Sequence, residues 1–431
     1  MTRRVLISNR ADASNTHCSS GSAMQFTYRT PYRALIAASS LNLLFANKQF
    51  LNTTGESDPV NSVTVRASVE LGDGSLWPVT FGGARERMMA PGETIASDAI
   101  AISIAQGALF FVRSRPLVDT LGERWRIGGA ALTGGYLGGA AKSGADYTDA
   151  MDHTAFRTAG VLPFGPVAIL GVPASPGPVT GIILGDSTSY GSGDTGTEHG
   201  DLGFLARMLS GAGIPHLRLG APGLAVPHLL GAGPADRPAR TGYHRALIER
   251  VRPTHAFLSI GNNDIHGGGA TLVGTQANLL RYFDFLADLD LKLVASTVTP
   301  RTAGSWTTVE GQTRRPATVN ARRRALNDWL RSRPHRAITD VLDVAAIAEE
   351  PSDPDLWRVD GGAWTKDGTH MNSLGHSTVA RALGRQAAQV AGFVPSSGHP
   401  DAAVFTTVAI ASTSPRPGAG PSHDGMPNSC S

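Results

Sequence analysis

Three polar segments of the sequence carry residue types suited to acyl transfer. Ser187 ends a Gly-Asp-Ser segment, Asn263 lies in a Gly-Asn-Asn-Asp segment, and Asp367 and His370 form an Asp-x-x-His pair. A serine hydroxyl is a nucleophile once a neighbouring base takes its proton. An imidazole held by a carboxylate is such a base, and an asparagine N–H can stabilise an oxyanion. Taken alone, each segment is more typical of an ordinary turn or helix cap than of a catalytic site.

The elements predicted around these segments give them a common position. Ser187 follows a short buried strand predicted over Thr180–Leu184, and Asn263 follows another over His255–Ile260. His370 precedes an amphipathic helix predicted over Ser373–Val390. Catalytic groups of open α/β sheets gather at the carboxyl ends of the strands. Together, the three segments therefore predict one site.

The order Ser, Asn, Asp-x-x-His over about Val179–Gly392 resembles the SGNH or GDSL-type hydrolase family. The resemblance implies that Ser187 is the nucleophile, that His370 is the general base, and that Asp367 orients His370. It also implies an oxyanion hole made of the Ser187 backbone N–H, the Asn263 side chain and the backbone N–H of a glycine in a second block.

That second block is the segment Leu-Gly-Ala-Pro-Gly at positions 219–223. Gly223 matches the family's block glycine best, and Gly220 is the weaker choice. Family members often carry Asn two residues before the first glycine, where this chain has Arg218. The departure concerns local hydrogen bonding, because the oxyanion donor is a backbone N–H.

The rest of the chain predicts a second kind of architecture. Residues 62–71 alternate apolar and polar side chains and end in a Gly-Asp-Gly turn signal, a pattern typical of a half-buried strand in a hairpin. From about Val179, strands alternate with helices, which favours a parallel sheet covered on both faces. We predict a flavodoxin-like three-layer αβα domain that follows an N-terminal β-sandwich.

The predicted boundaries divide the chain into four parts. Residues 1–23 are expected to be a disordered extension, and residues 24–175 a β-rich accessory domain of sandwich or jelly-roll type. Residues 176–394 are expected to form the catalytic domain, and residues 395–431 a disordered tail. A modular chain of this kind predicts that a fragment starting at about Ala174 folds and turns over a small ester.

Composition excludes several function classes. Of the 431 residues, 38 are basic and 35 acidic, a balance that does not favour nucleic-acid binding. No run of 18 apolar residues occurs, so no membrane span is expected. The histidines outside the Asp-x-x-His pair show no metal-ligand spacing, and we expect neither metal nor cofactor. We also expect no recognisable signal peptide, although the sequence leaves both secretion and a cytoplasmic location open, as it does the oligomeric state.

The predicted function is hydrolysis of short-chain acyl esters, with small molecules or carbohydrates, including their O-acetyl groups, as substrates. The carbohydrate preference rests on an analogy, since β-sandwiches beside such domains often bind sugars. A lipase or arylesterase is the first alternative. The second is a non-catalytic surface or virion protein that keeps a hydrolase-like fold.

Overall fold

A computed structural model describes residues 3–14, 16–51, 55–128, 162–197, 200–230, 242–267 and 270–392. Up to residue 173 its sheets are mainly antiparallel, and from residue 181 onward strands alternate with helices around a parallel sheet. The predicted fold class, an αβα domain preceded by a sandwich-like β-region, is confirmed. The predicted tail over 395–431 lies outside the described residues.

The first part contains fourteen strands among the described residues. In chain order they are β1 Val5–Leu6, β2 Ala11–Asp12, β3 His17–Cys18, β4 Tyr28–Arg33, β5 Ala38–Ala46, β6 Gln49–Leu51, β7 Gly55–Ser57, β8 Val63–Leu71, β9 Leu76–Pro78, β10 Glu86–Met89, β11 Thr94–Ala96, β12 Leu109–Leu117, β13 Arg126–Ile127 and β14 Ala168–Pro173.

Two antiparallel sheets enclose the core of this part. One has the order β1-β14-β5-β11, and the other has the order β10-β8-β12-β4 with β9 paired to β8. Strand β8 faces this core with every second side chain, because alternate side chains of a strand point to the same side. These side chains are at most 1% exposed and belong to Val63, Val65, Ala67 and Val69. They pack with side chains of both sheets in one apolar cluster.

The second part contains ten helices and nine strands among the described residues. In chain order they are β15 Gly181–Gly185, α1 Ser187–Tyr190, α2 Gly203–Gly211, β16 His216–Arg218, α3 Val226–Leu230, α4 Gly242–Val251, β17 His255–Ser259, α5 Asn262–His266, α6 Leu272–Ala287, β18 Lys292–Ser296, β19 Thr302–Gly304, β20 Gln312–Arg314, α7 Ala317–Arg331, β21 Ile338–Leu342, α8 Val344–Ala348, β22 Glu349–Glu350, β23 Asp353–Trp357, α9 Ser373–Ala382 and α10 Gly384–Val390. The single helix predicted over Ser373–Val390 is thus divided at Leu383.

The parallel sheet has the order β2-β16-β15-β17-β18-β21. Its central strands are apolar on both faces: Ile182 and Leu184 belong to one buried cluster and Ile183 to the other. Such strands need helices on both faces, which gives the three layers. Strands β15 and β17 pair so that Gly185 is level with Ser259, and the segments that follow them therefore begin side by side.

The structure differs from the predicted disordered extension over 1–23. Strand β1 pairs with β14 of the sandwich, and β2 pairs with β16 at the edge of the parallel sheet. A strand of two residues is too short to show an alternating pattern in the sequence. Strands β1 and β2 are therefore stabilised by pairing with strands distant in the chain, which local sequence does not predict. The extreme amino terminus thus contributes a strand to each part.

The two parts also share one apolar core. Along β5, Leu43 and Phe45 face the sandwich core, whereas Leu44 and Ala46 belong to the cluster under the parallel sheet. Strand β14 divides its side chains in the same way, with Ile169 on one face and Leu170 on the other. The sheet that contains β5 and β14 is therefore buried on both faces.

This shared core changes the expectation for a fragment that starts at Ala174. The fragment would lack β2 and would expose the cluster that Leu44, Ala46 and Leu170 cover in the full chain. Removing that apolar cover costs roughly 25 cal/mol for each Å² returned to water. We expect the fragment to unfold at a lower temperature than the full chain or to aggregate, as measured by circular dichroism and size-exclusion chromatography. A folded fragment with an unchanged melting temperature would contradict the shared core.

Among the described residues, no helix combines the length and apolar character that a membrane crossing requires.

Candidate active site

Ser187 is positioned by the turn from β15 into α1. Gly185 ends the strand with φ +135°, a backbone conformation that side chains disfavour. Asp186 is the N-cap of α1, and its Oδ1 accepts a hydrogen bond from the Thr188 N–H at 2.9 Å. The turn thereby holds Ser187 as the first helical residue, and Ser187 is 7% exposed.

Asp367 and His370 lie in the loop before α9. The Asp367 carboxylate accepts the backbone N–H groups of Thr369 at 2.9 Å and His370 at 2.8 Å through Oδ1. Its Oδ2 lies 2.7 Å from His370 Nδ1. The local turn therefore fixes the carboxylate and the imidazole in one arrangement.

The same imidazole reaches the serine. His370 Nε2 lies 2.9 Å from Ser187 Oγ, although 183 residues separate them in sequence. A carboxylate only accepts hydrogen bonds, so Nδ1 must carry the proton that bonds to Asp367. In the neutral ring Nε2 is then an acceptor, and the Ser187 hydroxyl donates to it. This is the arrangement in which His370 can take the serine proton.

The electrostatics of Asp367 suit this arrangement. Burial alone would raise the pKa of Asp367, but hydrogen bonds from the His370 side chain and from two backbone N–H groups outweigh it and hold the pKa well below its ordinary value. Asp367 is therefore ionised at neutral pH. Its negative charge stabilises a positive charge on His370.

Asn263 is the second residue of α5, which follows β17. Its Nδ2 donates to the Leu224 carbonyl at 2.8 Å, so the side chain joins the second block to this helix. An amide nitrogen carries two hydrogens, which leaves one for another acceptor. The neighbouring Asp264 accepts the Val226 N–H at 3.1 Å and strengthens the same connection.

The second block offers one glycine N–H more readily than the other. The Gly220 N–H already donates to the Ile183 carbonyl at 3.1 Å. Gly223 makes no such bond to the described residues, and its φ of +78° favours glycine. This geometry supports Gly223, rather than Gly220, as an oxyanion donor.

Arg218, which stands where relatives often carry Asn, has partners of its own. Its guanidinium lies 3.5 Å from Asp12 Oδ2 on β2 and donates to the Leu202 carbonyl at 3.4 Å. Arg218 thus links β16 to strand β2 and to the Leu202 carbonyl, and none of these partners is one of the five predicted site residues.

Two buried carboxyl groups lie beneath the site without joining it. Burial, together with repulsion from Asp264, raises the pKa of Asp186 to about 7. Burial likewise raises the pKa of Asp264 to about 6. Asp186 caps α1 and Asp264 binds the Val226 N–H, so both act on the loops that carry the site residues.

His376 and Trp357 were not predicted as site residues, and both support the site from behind. His376 Nδ1 accepts the Phe204 N–H at 3.0 Å, and its Nε2 lies 3.2 Å from the Ser192 carbonyl in the loop after α1. The Trp357 indole donates to the Gly368 carbonyl at 2.9 Å. Neither has a local sequence signal, because each acts through a partner distant in the chain.

The structure thus brings Ser187, His370 and Asp367 into one hydrogen-bonded chain and ties Asn263 to the loop of Gly223. Within the described ranges, no group of three or more His, Cys, Asp or Glu side chains could hold a metal ion. The chain of hydrogen bonds through His370 can activate the Ser187 hydroxyl.

Comparison with known proteins gives one match to a family and several to solved structures. Residues 183–377 match the model of the GDSL-like lipase/acylhydrolase family. No curated protein matches the chain.

Three of the similar solved structures illustrate the range. A carbohydrate esterase family 2 enzyme with a carbohydrate-binding domain from Corynascus thermopiles is 11% identical, with a TM-score of 0.37, and the match covers 91% of this chain and 100% of that one. A family 2 carbohydrate esterase from Cellvibrio japonicus is 11% identical, with a TM-score of 0.35 and coverage of 91% and 99%. A GDSL-like lipase from Bacteroides thetaiotaomicron is 15% identical, with a TM-score of 0.33 and coverage of 49% and 88%.

The motifs, the parallel sheet and the matched family model agree on the same part of the chain. Residues 183–377 therefore form a GDSL-like lipase/acylhydrolase domain, a hydrolase domain that acts on esters.

Proposed function

We propose that the protein is a serine-dependent carboxylic ester hydrolase that acts on short-chain acyl esters through an acyl-enzyme. The observation that carries the proposal is the hydrogen-bonded chain from Ser187 through His370 to Asp367. The base lies within hydrogen-bonding distance of both the nucleophile and the orienting carboxylate, as this chemistry requires.

The reaction follows from these groups. Ser187 Oγ attacks the ester carbonyl carbon while His370 Nε2 takes the hydroxyl proton. The tetrahedral oxyanion binds the backbone N–H groups of Ser187 and Gly223 and the free Nδ2–H of Asn263. His370 then protonates the leaving alcohol as the carbon–oxygen bond breaks. Water, deprotonated by His370, then attacks the acyl-enzyme, and His370 gives this proton to Ser187 Oγ as the acyl–oxygen bond breaks and the acid leaves.

We further propose O-acetyl groups of carbohydrates as the preferred esters. This preference rests on the analogy with other β-sandwiches that adjoin such domains. A substrate panel tests it: p-nitrophenyl acetate, butyrate and laurate report acyl length, and acetylated sugars report the alcohol. Preference for laurate would favour the lipase alternative.

A covalent label tests the nucleophile directly. A fluorophosphonate should abolish hydrolysis of p-nitrophenyl acetate, and mass spectrometry of the digested protein should place the adduct on Ser187. An adduct on another residue, or full activity without any adduct, would contradict the serine mechanism.

Replacing Asn263 by Ala should lower kcat about 100- to 1000-fold with little change in KM, because an oxyanion donor acts mainly in the transition state. Steady-state kinetics on p-nitrophenyl acetate measure both constants. Asn263 also anchors the Leu224 carbonyl, so the melting temperature of the variant must be compared with that of the parent. A rise in KM with unchanged kcat would instead make Asn263 a substrate-binding residue.

A further inference from the structure

Two arginines face each other at the base of a hairpin beside the candidate site. Strands β19 and β20 pair with Thr302 opposite Arg314 and Gly304 opposite Gln312. The same antiparallel register places Arg301 opposite Arg315, one step beyond the last pair. Like charges directly opposite each other destabilise a strand pair. The like charges of Arg301 and Arg315 are therefore unfavourable for the pairing of this hairpin.

Among the described residues, no side chain forms an ion pair with either of these two arginines. Neither guanidinium makes a hydrogen bond or an ion pair with the described residues, and the buried Arg315 Nε lacks a partner. Their neighbour Arg314, in contrast, pairs with Asp353. Burial and the charge of Arg315 both lower the pKa of Arg301. The two cations therefore repel each other in a partly desolvated place.

The hairpin is joined to the loop of the candidate catalytic acid–base pair. The Thr302 N–H, next to Arg301, donates to the Gly368 carbonyl at 2.9 Å, one residue after Asp367. Any side chain at position 368 would collide with Thr302 and with the Trp306 indole, so the contact is close. Arg301 also experiences the charge of Asp367.

The positive potential of these arginines also acts on His266, which lies on the helix of Asn263. This histidine ends α5, the helix that carries Asn263, and neither ring nitrogen has a hydrogen-bond partner. Burial, and then the nearby arginines that include Arg301 and Arg315, lower the pKa of His266 to about 3. His266 is therefore neutral and adds no charge of its own at neutral pH.

The other two arginines near His266 already have partners. Arg322 donates to the Ala270 carbonyl at 2.6 Å. Arg323 is fully buried and bonds to Glu349 and Asp355. Of these four arginines, Arg301 and Arg315 are the two whose guanidinium groups have no hydrogen-bond partner among the described residues.

We propose that Arg301 and Arg315 bind a carboxylate carried by the ester substrate. The proposal rests on the proposed function, and it names the substrate class: an anionic ester. A planar guanidinium can donate two parallel hydrogen bonds to a carboxylate. The negative charge of a carboxylate bound by both guanidinium groups would also offset the repulsion between them. An acetyl group carries no carboxylate, so for the acetyl esters proposed above the carboxylate belongs to the alcohol part of the ester.

Matched acetyl esters test this directly. The 2-, 3- and 4-acetoxybenzoates carry a carboxylate on the alcohol part, and the corresponding acetoxybenzamides are neutral analogues of the same shape. We expect the protein to prefer the acid over the amide at least 10-fold in kcat/KM for one or more isomers. Arg301→Gln and Arg315→Gln should each reduce that ratio at least 5-fold. Arg314→Gln is the matched control on the same hairpin and should leave the ratio unchanged.

A binding measurement separates this proposal from the proposed function. Calorimetric titration of the preferred acetoxybenzoate into Ser187→Ala protein should show binding that Arg301→Gln in the same background weakens at least 5-fold. If no ester is hydrolysed, the proposed function fails. The same titration, carried out with each of the three acetoxybenzoates, then decides by itself whether the subsite exists. Equal ratios for acid and amide, equal losses on both substrates, or unchanged affinity after Arg301→Gln would overturn the subsite.

Discussion

Replacing Ser187 by Ala should lower kcat on p-nitrophenyl acetate by about 10⁴-fold or more, the loss that removal of a nucleophile in such a triad produces. The hydroxyl donates to His370 Nε2 at 2.9 Å, so the substitution removes both the attacking atom and the proton that the base takes. The overall fold should persist, because Ser187 contributes no apolar contact to the cores. Stopped-flow and steady-state assays measure the rate, and circular dichroism measures the fold.

The matched control is Ser189→Ala, two residues further along α1. The Ser189 hydroxyl donates to the Asp186 carbonyl at 2.7 Å and has no contact with His370. Its removal costs roughly 1 kcal/mol of stability, as for a typical hydrogen bond, and should leave kcat within about a factor of ten. If both variants lost the same activity, the effect would come from disturbing α1 and not from losing the nucleophile.

Replacing His370 by Ala should lower kcat by about 10³- to 10⁴-fold or more, because no other described base lies within hydrogen-bonding distance of Ser187 Oγ. The nucleophile then attacks as a neutral hydroxyl, and the leaving alcohol receives no proton from the enzyme. Asp367→Asn should also reduce kcat, since an amide in place of the carboxylate favours the wrong ring tautomer. The assay is again turnover of p-nitrophenyl acetate.

Two comparisons make this second prediction specific. The double variant Ser187→Ala/His370→Ala should lose no more activity than Ser187→Ala alone, because the two side chains act as one unit. His335→Ala is the matched control, since the largely buried His335 lies 3.1 Å from the exposed Asp284 in another His–Asp pair. Additive losses in the double variant would mean that His370 acts separately from Ser187.

The sequence by itself predicted the chemistry and the class of sheet. Ser187 and Asn263 follow segments predicted to be buried strands, and Asp367 and His370 are three residues apart. Parallel strands place their carboxyl ends at one edge, so a local pattern was enough to predict that distant segments meet. Asp367 and His370 were also predictable as a pair because a single turn joins them.

Only the tertiary structure decided how the two parts of the chain depend on each other. Strand β2 and the second buried face of β5 depend on partners more than 100 residues away. Alternation along β5 indicates a strand, but it does not tell which sheet or core each face contacts. The predicted modular boundary therefore missed the shared core.

The arginine pair depended on tertiary structure for the same reason. Arg301 and Arg315 lack any motif, and their relation follows from the register of β19 and β20. Their relation to Asp367 follows from the bond between Thr302 and Gly368. Local sequence determines which residues can do chemistry and which element each occupies. Which charges are left unpaired beside the site depends on long-range packing, where every neighbour contributes to burial and to the electrostatic potential.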